Sequence, residues 1–255
     1  MTPKNTYTPW KRLWEWLIGV YDLFINTLFP KLAFYSLLWI FRKPRDIIRK
    51  WGWVIILLPG FLCNSSTMIP IGKFLEENTL QSIIYPKIWI IDWLYKSLNV
   101  LTEESYGYTR ELMQTWHIVW NPDITIIGHS TGWVIALRIA GMLPIKNIIQ
   151  ISTGYTVPPV ADLPWLWWIP SIYDMRKHSI QNGNIHFLER IEQLWIIVSR
   201  NDTFVPASCQ WVSHTNEIVG PVKKEVHISW WHLASLLGNA WRMGVRDLLT
   251  QMNIR

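Results

Sequence analysis

The chain has 255 residues, half of them hydrophobic, enough for one α/β domain of ordinary size and an additional segment. Charged residues make up only 16% of the chain and the formal net charge is +6, which favours extensive burial or contact with an anionic lipid surface. We set nucleic acid aside as a partner because no basic cluster is interleaved with aromatic residues in a recognisable binding motif. Two cysteines, Cys63 and Cys209, are too few for a disulfide framework, and they lack the spacing of a metal site.

Residues 1–50 predict an apolar helical extension with two interpretations. Between Leu13 and Phe29 the polar or small residues fall in one narrow helical stripe, and a second apolar run, Leu32 to Phe41, ends on a basic cluster. Both runs are too short to cross a bilayer. The segment is therefore either a membrane-surface anchor through residues 10–45 or an amphipathic helix packed on the domain. The apolar region is too long for a signal peptide and has no A-x-A-like cleavage site, so we expect a cytoplasmic or membrane-anchored protein.

Residues 51–255 predict alternating strands and helices. Strands are predicted at Val54–Leu58, within Ile83–Asp92, and at Asp123–Ile127, Lys146–Ile151, Leu194–Ser199 and Lys223–Ile228. Helices are predicted at Met68–Glu77, at Glu103–Trp116 with capping residues in 102–105, and at Leu233–Met252. This alternation predicts an α/β fold with a mostly parallel sheet and helices on both faces. In such sheets, functional residues collect at the carboxyl ends of the strands.

A nucleophile motif lies between the third predicted strand and a helix-like stretch. The pentapeptide Gly128–Gly132 has the form G-x-S-x-G, in which a serine occupies a strained turn and glycines flank it because side chains there would clash. The strand before it and the helix after it are the context that this motif requires. We therefore predict that Ser130 is a catalytic nucleophile.

An acid and a base follow Ser130 in the order that this class of fold uses. A serine hydroxyl needs a histidine base, which a buried carboxylate in turn orients. Asp202 comes directly after the strand Leu194–Ser199, and His232 follows the next strand. His227 lies inside that strand rather than beyond its end, so we assign the base to His232.

With these motifs, residues from Val54 onward resemble the α/β-hydrolases, and among them the bacterial lipases and esterases. The resemblance implies a small lid, at about residues 155–190, after the family's sixth strand, because Ser171–Ser179 is similar to a lipase segment with an Asp-Met pair. It also implies an oxyanion hole formed by the backbone amides of Phe61 and Thr131. Pro59 stands where many relatives have histidine, which puts the shape of that loop in question. We expect His129 to pack or hydrogen-bond locally.

The chain has nineteen tryptophans and only thirteen glycines, an inverted ratio. Trp133, Trp230 and Trp231 fall at tight turns or contacts where overpacking typically costs about 1–3 kcal/mol. One hypothesis is that some tryptophans are glycines in the natural protein, because its UGA codons are read as glycine. The alternative is that tryptophans line an acyl pocket or a membrane-facing rim, as we expect of Trp165, Trp167 and Trp168 in the lid.

The sequence thus predicts a serine hydrolase of carboxylic esters, with lipid or long-chain acyl esters as the leading substrates and no metal or organic cofactor. A thioesterase or an amidase would use the same residues. The alternative from another class is a non-catalytic, membrane-associated scaffold with a hydrolase fold.

Overall fold

A six-stranded sheet forms the centre of the computed structural model. The structure describes residues 43–49, 53–116, 123–154, 161, 164–177, 191–199, 202, 205–206, 209, 222–228, 245–246 and 249–250. The strands are β1 (Val54–Leu58), β2 (Ser82–Ile84), β3 (Ile124–His129), β4 (Ile145–Ile151), β5 (Gln193–Ser199) and β6 (Val222–Ile228). They lie in the order β2-β1-β3-β4-β5-β6, and every neighbouring pair is parallel. The predicted parallel sheet is therefore confirmed.

The central strands β1, β3 and β4 are almost wholly buried because both faces of the sheet are covered. One face, which includes Ile56 and Ile148, packs with the helices α2 (Asp92–Tyr95), α3 (Leu98–Thr115) and α4 (Gly132–Ala140). The other face, which includes Ile55 and Ile149, packs with α1 (Ile69–Asn78) and with Val245 and Leu249 near the end of the chain. Helices therefore cover both faces, as the sequence predicts.

Two predicted elements differ from the structure. The helix predicted from Glu103 begins at Leu98, and its cap is Ser97, whose side chain accepts from the Val100 amide at 3.2 Å. Thr102, a predicted capping residue, instead lies inside the helix and donates to the Leu98 carbonyl at 2.6 Å. The strand predicted within Ile83–Asp92 is only three residues long, Ser82–Ile84, because Pro86 has no amide with which to continue a ladder.

The short segment 43–49 pairs with the free edge of β2. Ile47 bridges Ile83 in antiparallel orientation, with backbone hydrogen bonds of 2.9 and 2.8 Å. Asp46 accepts hydrogen bonds from the Tyr85 amide and the Tyr108 hydroxyl. This segment therefore fixes the point at which the N-terminal residues join the sheet.

The N-terminal extension, residues 1–42, lies outside the described residues, and so does most of the predicted closing helix. Residues 245–246 and 249–250, which belong to that predicted helix, are helical. Within the described ranges, no helix combines the length and the apolar character needed to cross a membrane.

Candidate active site

Ser130 occupies a sharp turn between β3 and α4. Its φ is +49°, a left-handed conformation that a residue with a side chain rarely adopts, and its amide donates to the Ile151 carbonyl at 3.0 Å. The side chain is half-buried. Such strain, of order 1–3 kcal/mol, is typical of functional sites because the surrounding structure must hold it in place.

Two glycines allow the loop after β1 to lie directly against this turn. A Cβ atom at Gly60 would lie 2.8 Å from Ser130 Cβ, and one at Gly132 would lie 2.5 Å from the Pro59 carbonyl oxygen. Neither position has room for a side chain. The loop that contains Phe61 is therefore held close to Ser130, as an oxyanion loop requires.

The amides of Phe61 and Thr131 have no hydrogen-bond acceptor among the residues that the structure describes. Thr131 is buried and Phe61 half-buried. The loop is fixed from behind, because Cys63 donates its amide to the Gly60 carbonyl at 3.0 Å and Trp93 Nε1 donates to the Cys63 carbonyl at 2.7 Å. Both predicted oxyanion donors thus belong to well-anchored backbone next to Ser130.

Asp202 follows the carboxyl end of β5 and is only 4% exposed. Its Oδ1 accepts a hydrogen bond from the Val205 amide at 2.9 Å, which orients the carboxylate. Ser130 and Asp202 come after the carboxyl ends of β3 and β5, which lie at the same edge of the parallel sheet. Only β4 separates these two strands. The assignment of Asp202 as the acid stays a prediction.

His232, the predicted base, lies outside the described residues, as do Trp230 and Trp231. Its nearest described neighbour in the chain is Ile228, the last residue of β6, which pairs with Ser199. His227 is within β6, paired with Val198, so it is inside the strand as expected. His129 is fully buried at the end of β3, beside Gly60, and belongs to the packing of the turn.

Part of the predicted lid packs on the loop that contains Phe61. Ala161, Ile169 and Ile172 form a small apolar cluster against which Phe61 packs. Ile172 belongs to α5 (Pro170–Lys177), and the Phe61 ring meets the Trp93 ring edge-on with a centroid distance of 6.0 Å. The environment of Phe61 is therefore apolar on two sides.

The Asp-Met pair of the lid has a structural role that sequence reasoning missed. Asp174 Oδ2 accepts a hydrogen bond from the Leu98 amide at 2.9 Å, so a lid residue caps the first turn of α3. Ser171 Oγ donates to the Trp93 carbonyl. The hydrogen-bond partners of Asp174 and Ser171 are more than seventy residues away in sequence. In the sequence, the only sign of this role was the resemblance of Ser171–Ser179 to a lipase segment.

Among the described residues, no group of three histidine, cysteine or acidic side chains is placed to hold a metal ion. Cys63 lies two residues after Phe61, and its burial raises the pKa of the thiol to about 12. A thiol in that state is protonated near neutral pH and is a poor nucleophile or ligand.

Comparison with known proteins identifies the fold. No family model matches the chain, and no curated protein is significantly similar in sequence. Est1E from Butyrivibrio proteoclasticus, solved with ferulic acid bound, is 16% identical over 81% of this chain and 92% of its own, with a TM-score of 0.60. A lipase-esterase related protein from Clostridium acetobutylicum is 15% identical over 83% of this chain and 98% of its own, with a TM-score of 0.55.

An α/β hydrolase enzyme from a metagenome of sediments from the Mar Chica lagoon in Morocco is 13% identical. The match covers 83% of this chain and 98% of that enzyme, with a TM-score of 0.57. Since these matches extend over nearly the whole length of the similar proteins and agree with the strand order described above, the chain has the α/β-hydrolase fold.

Proposed function

We propose that the protein is a serine hydrolase that cleaves carboxylic esters through an acyl-enzyme intermediate. The observation that carries this proposal is the conformation of Ser130, held at φ +49° against a loop whose Gly60 tolerates no side chain. Leu62 and Ser152 also have a left-handed backbone, at φ +54° and +51°, so the close contact of the Ser130 turn with Gly60 is what supports a catalytic role for Ser130. The adjacent amides of Phe61 and Thr131 supply the second element that acyl transfer needs.

In the proposed mechanism, His232 removes the proton of Ser130 as the hydroxyl attacks the ester carbonyl. Asp202 holds the imidazole in the tautomer that can accept this proton. The amides of Phe61 and Thr131 stabilise the oxyanion of the tetrahedral intermediate. His232 then protonates the leaving alcohol, and a water molecule, activated by the same histidine, releases the acid and regenerates Ser130.

We propose an acyl ester of a long chain, or a lipid, as the substrate. The support is the apolar cluster of the lid, which packs on the oxyanion residue Phe61. An apolar wall next to the scissile carbonyl favours an alkyl chain over a charged group. Thioesters and amides present the same carbonyl to the same residues, so the leaving group needs its own test.

Fluorophosphonate labelling tests whether Ser130 is reactive. We expect the wild-type protein to be labelled and Ser130→Ala not to be. Ser152 also has a left-handed backbone, at φ +51°, but it is fully buried directly after β4, so we expect no label there. Peptide mapping should place the label on Ser130 and not on Ser152. A folded wild-type protein without label would favour the non-catalytic scaffold.

A series of p-nitrophenyl esters tests the substrate. A lipase should show a rising kcat/KM from the butyrate to the long-chain esters, whereas a short-chain esterase should show the opposite trend. Thioester and anilide analogues of the best ester separate the three leaving groups. If the butyrate were the best substrate, the lipid proposal would be refuted.

A further inference from the structure

Three buried polar side chains come shortly after Phe61 in the loop that follows β1. They belong to Asn64, Ser65 and Ser66, which are 6%, 0% and 9% exposed. A buried polar group destabilises the fold unless it forms hydrogen bonds, so each of these side chains needs a partner. Ser66 donates to Asn64 Oδ1 at 2.8 Å, a bond within the segment itself. Ser65, in contrast, bonds to a different part of the chain.

The hydroxyl and the amide of Ser65 join the loop after β1 to the loop after β2. Ser65 Oγ donates to the Pro86 carbonyl and accepts from the Ile88 amide at 3.1 Å, and the Ser65 amide donates to the Ile88 carbonyl at 3.2 Å. The sheet cannot connect the two loops here, because the pairing of β1 with β2 ends at Ile84 and proline has no amide to extend it. We call these three bonds the Ser65 clamp.

The loop after β2 is itself held on both sides of the clamped residues. On one side, Asp46 accepts a hydrogen bond from the Tyr85 amide at 2.7 Å. On the other side, the buried Asp92 accepts a hydrogen bond from the Trp89 amide at 2.7 Å. The Ser65 clamp therefore ties the loop after β1 to a partner that is fixed in place.

The loop after β1 contains a strained turn that needs such support. The Cys63 amide donates to the Gly60 carbonyl at 3.0 Å, which closes a four-residue turn with Phe61 and Leu62 at its centre. Leu62 has φ +54°, a left-handed backbone that a leucine rarely adopts. Such a conformation persists only where the surrounding structure holds it. Gly60 packs closely against the turn after β3 at one end, and the Ser65 clamp holds the other end.

We propose that Ser65 is a positioning residue of the oxyanion hole. Its clamp holds the strained turn so that the Phe61 amide keeps its place next to Ser130. Ser65 is fully buried and cannot contact a substrate, so it acts through the backbone alone. The inference rests on the proposed function, since the position of the Phe61 amide matters for the reaction only if attack by Ser130 forms an oxyanion.

Loss of the Ser65 hydroxyl would loosen the clamp without leaving a buried backbone group unpaired. The Ile88 amide also donates to the Pro86 carbonyl, at 2.9 Å, and the Ile88 carbonyl keeps its bond from the Ser65 amide. The loss of stability should therefore be small, because the largest penalty comes from a partner that is left unsatisfied. The loss of rate should be larger, because a displacement of about 1 Å at an active site can cost about a hundredfold.

Ser65→Ala and the matched control Ser66→Ala test this inference. Both remove one buried hydroxyl at neighbouring positions, but only the Ser65 hydroxyl bonds to the loop after β2. Hydrolysis of p-nitrophenyl butyrate gives kcat and KM. An alkyl trifluoromethyl ketone, which forms a tetrahedral oxyanion adduct with a reactive serine, reports on the oxyanion hole through its inhibition constant. Urea unfolding compares the stability of the variants.

In Ser65→Ala we expect kcat to fall by about tenfold to a hundredfold with little change in KM, since misplacing an oxyanion donor should cost less than removing it. The inhibition constant of the ketone should rise by a similar factor. Ser66→Ala should keep the wild-type kcat and inhibition constant. The urea midpoints of both variants should fall by a similar amount, about 0.5 M. If Ser65→Ala does not fold, Ser65→Cys and Ser66→Cys preserve the volume, donate only weakly, and should differ in the same direction.

A wild-type kcat in the Ser65 variant would overturn the inference, and so would equal losses of kcat in the Ser65 and Ser66 variants. A change in KM alone, or a lower kcat with an unchanged inhibition constant, would also overturn it, because neither places the defect in the oxyanion hole. A wild-type protein that hydrolyses no ester and takes no fluorophosphonate label would remove the proposed function, and this inference with it. The activity of the wild type thus separates the two failures.

Discussion

The contact between the loop after β1 and Ser130 makes Gly60→Ala the most direct test of the site. The added methyl group would lie 2.8 Å from Ser130 Cβ and 2.8 Å from His129 Nδ1. Both neighbours are part of the strained turn and cannot rotate away as the end of a flexible side chain could. The loop or the turn must therefore move. Either movement changes the position of the Phe61 amide relative to Ser130 and so disturbs the proposed oxyanion hole.

Two magnitudes follow from this geometry. Overpacking by one methyl group should lower the free energy of unfolding by about 1–3 kcal/mol. Displacement of one oxyanion donor should lower kcat by about a hundredfold to a thousandfold, with little change in KM. Activity should thus fall far more than the fraction of folded protein, which stays near unity if the domain is stable by about 5–15 kcal/mol.

Gly107→Ala is the matched control, since a Cβ atom there meets nothing within 4 Å and the residue lies inside α3. This variant should gain about 1 kcal/mol of stability and keep its activity. Urea unfolding and p-nitrophenyl butyrate hydrolysis measure the two quantities for both variants. If Gly60→Ala retained wild-type kcat, the loop would not shape an oxyanion hole.

Three further predictions test other parts of the site, and a fourth concerns the sequence itself. Asp202→Asn should keep the bond from the Val205 amide and fold normally, yet lose about ten-thousandfold in kcat because the imidazole adopts the wrong tautomer. Ellman's reagent at pH 8 should leave Cys63 unmodified in the folded protein, since a pKa of about 12 leaves very little thiolate, and should modify it once urea unfolds the chain. Asp174→Ala should cost about 1 kcal/mol in urea unfolding through loss of the α3 cap, and Asp174→Asn, which retains an acceptor, should cost less. Intact mass of the protein from its natural source should fall below the mass of this sequence if Trp133 or other tryptophans are glycines there, and an unshifted mass would refute that hypothesis.

The sequence predicted the sheet well because its central strands are buried on both faces. β1, a continuous apolar run, has the predicted bounds, and β3 to β6 begin and end within two residues of theirs, although β4 and β6 contain charged residues. The predicted start of α3 was wrong because the cap was placed near Thr102, whereas Ser97 caps the helix and Asp174, from the lid, accepts from the Leu98 amide. Local capping chemistry near Thr102 gave no sign of that contact.

The same distinction holds at the candidate site. The positions of Ser130 in a turn after β3 and of Asp202 beyond the end of β5 were predictable, because a motif and a strand end are local features of the sequence, while their catalytic roles stay predictions. The contact of the lid with Phe61, and the position of Gly60 against Ser130, join parts of the chain far apart in sequence. A single sequence carries no record of such contacts beyond a family resemblance.

Trp133, which prompted the glycine hypothesis, and Trp168, which the alternative places in a membrane-facing rim, occupy different environments in the structure. Trp133 lies in α4 so close to β3 that a Cβ atom at Gly128 would lie 2.9 Å from the Trp133 Cα and amide nitrogen. That contact involves only the backbone of Trp133, whose side chain is 3% exposed and belongs to the core on the face of the sheet that α2, α3 and α4 cover. Glycine at position 133 would keep the backbone contact and leave a cavity in that core. Trp168, in contrast, is 73% exposed, and glycine there would remove exposed apolar area without changing the core. The same replacement would therefore lower the free energy of unfolding at position 133 far more than at position 168.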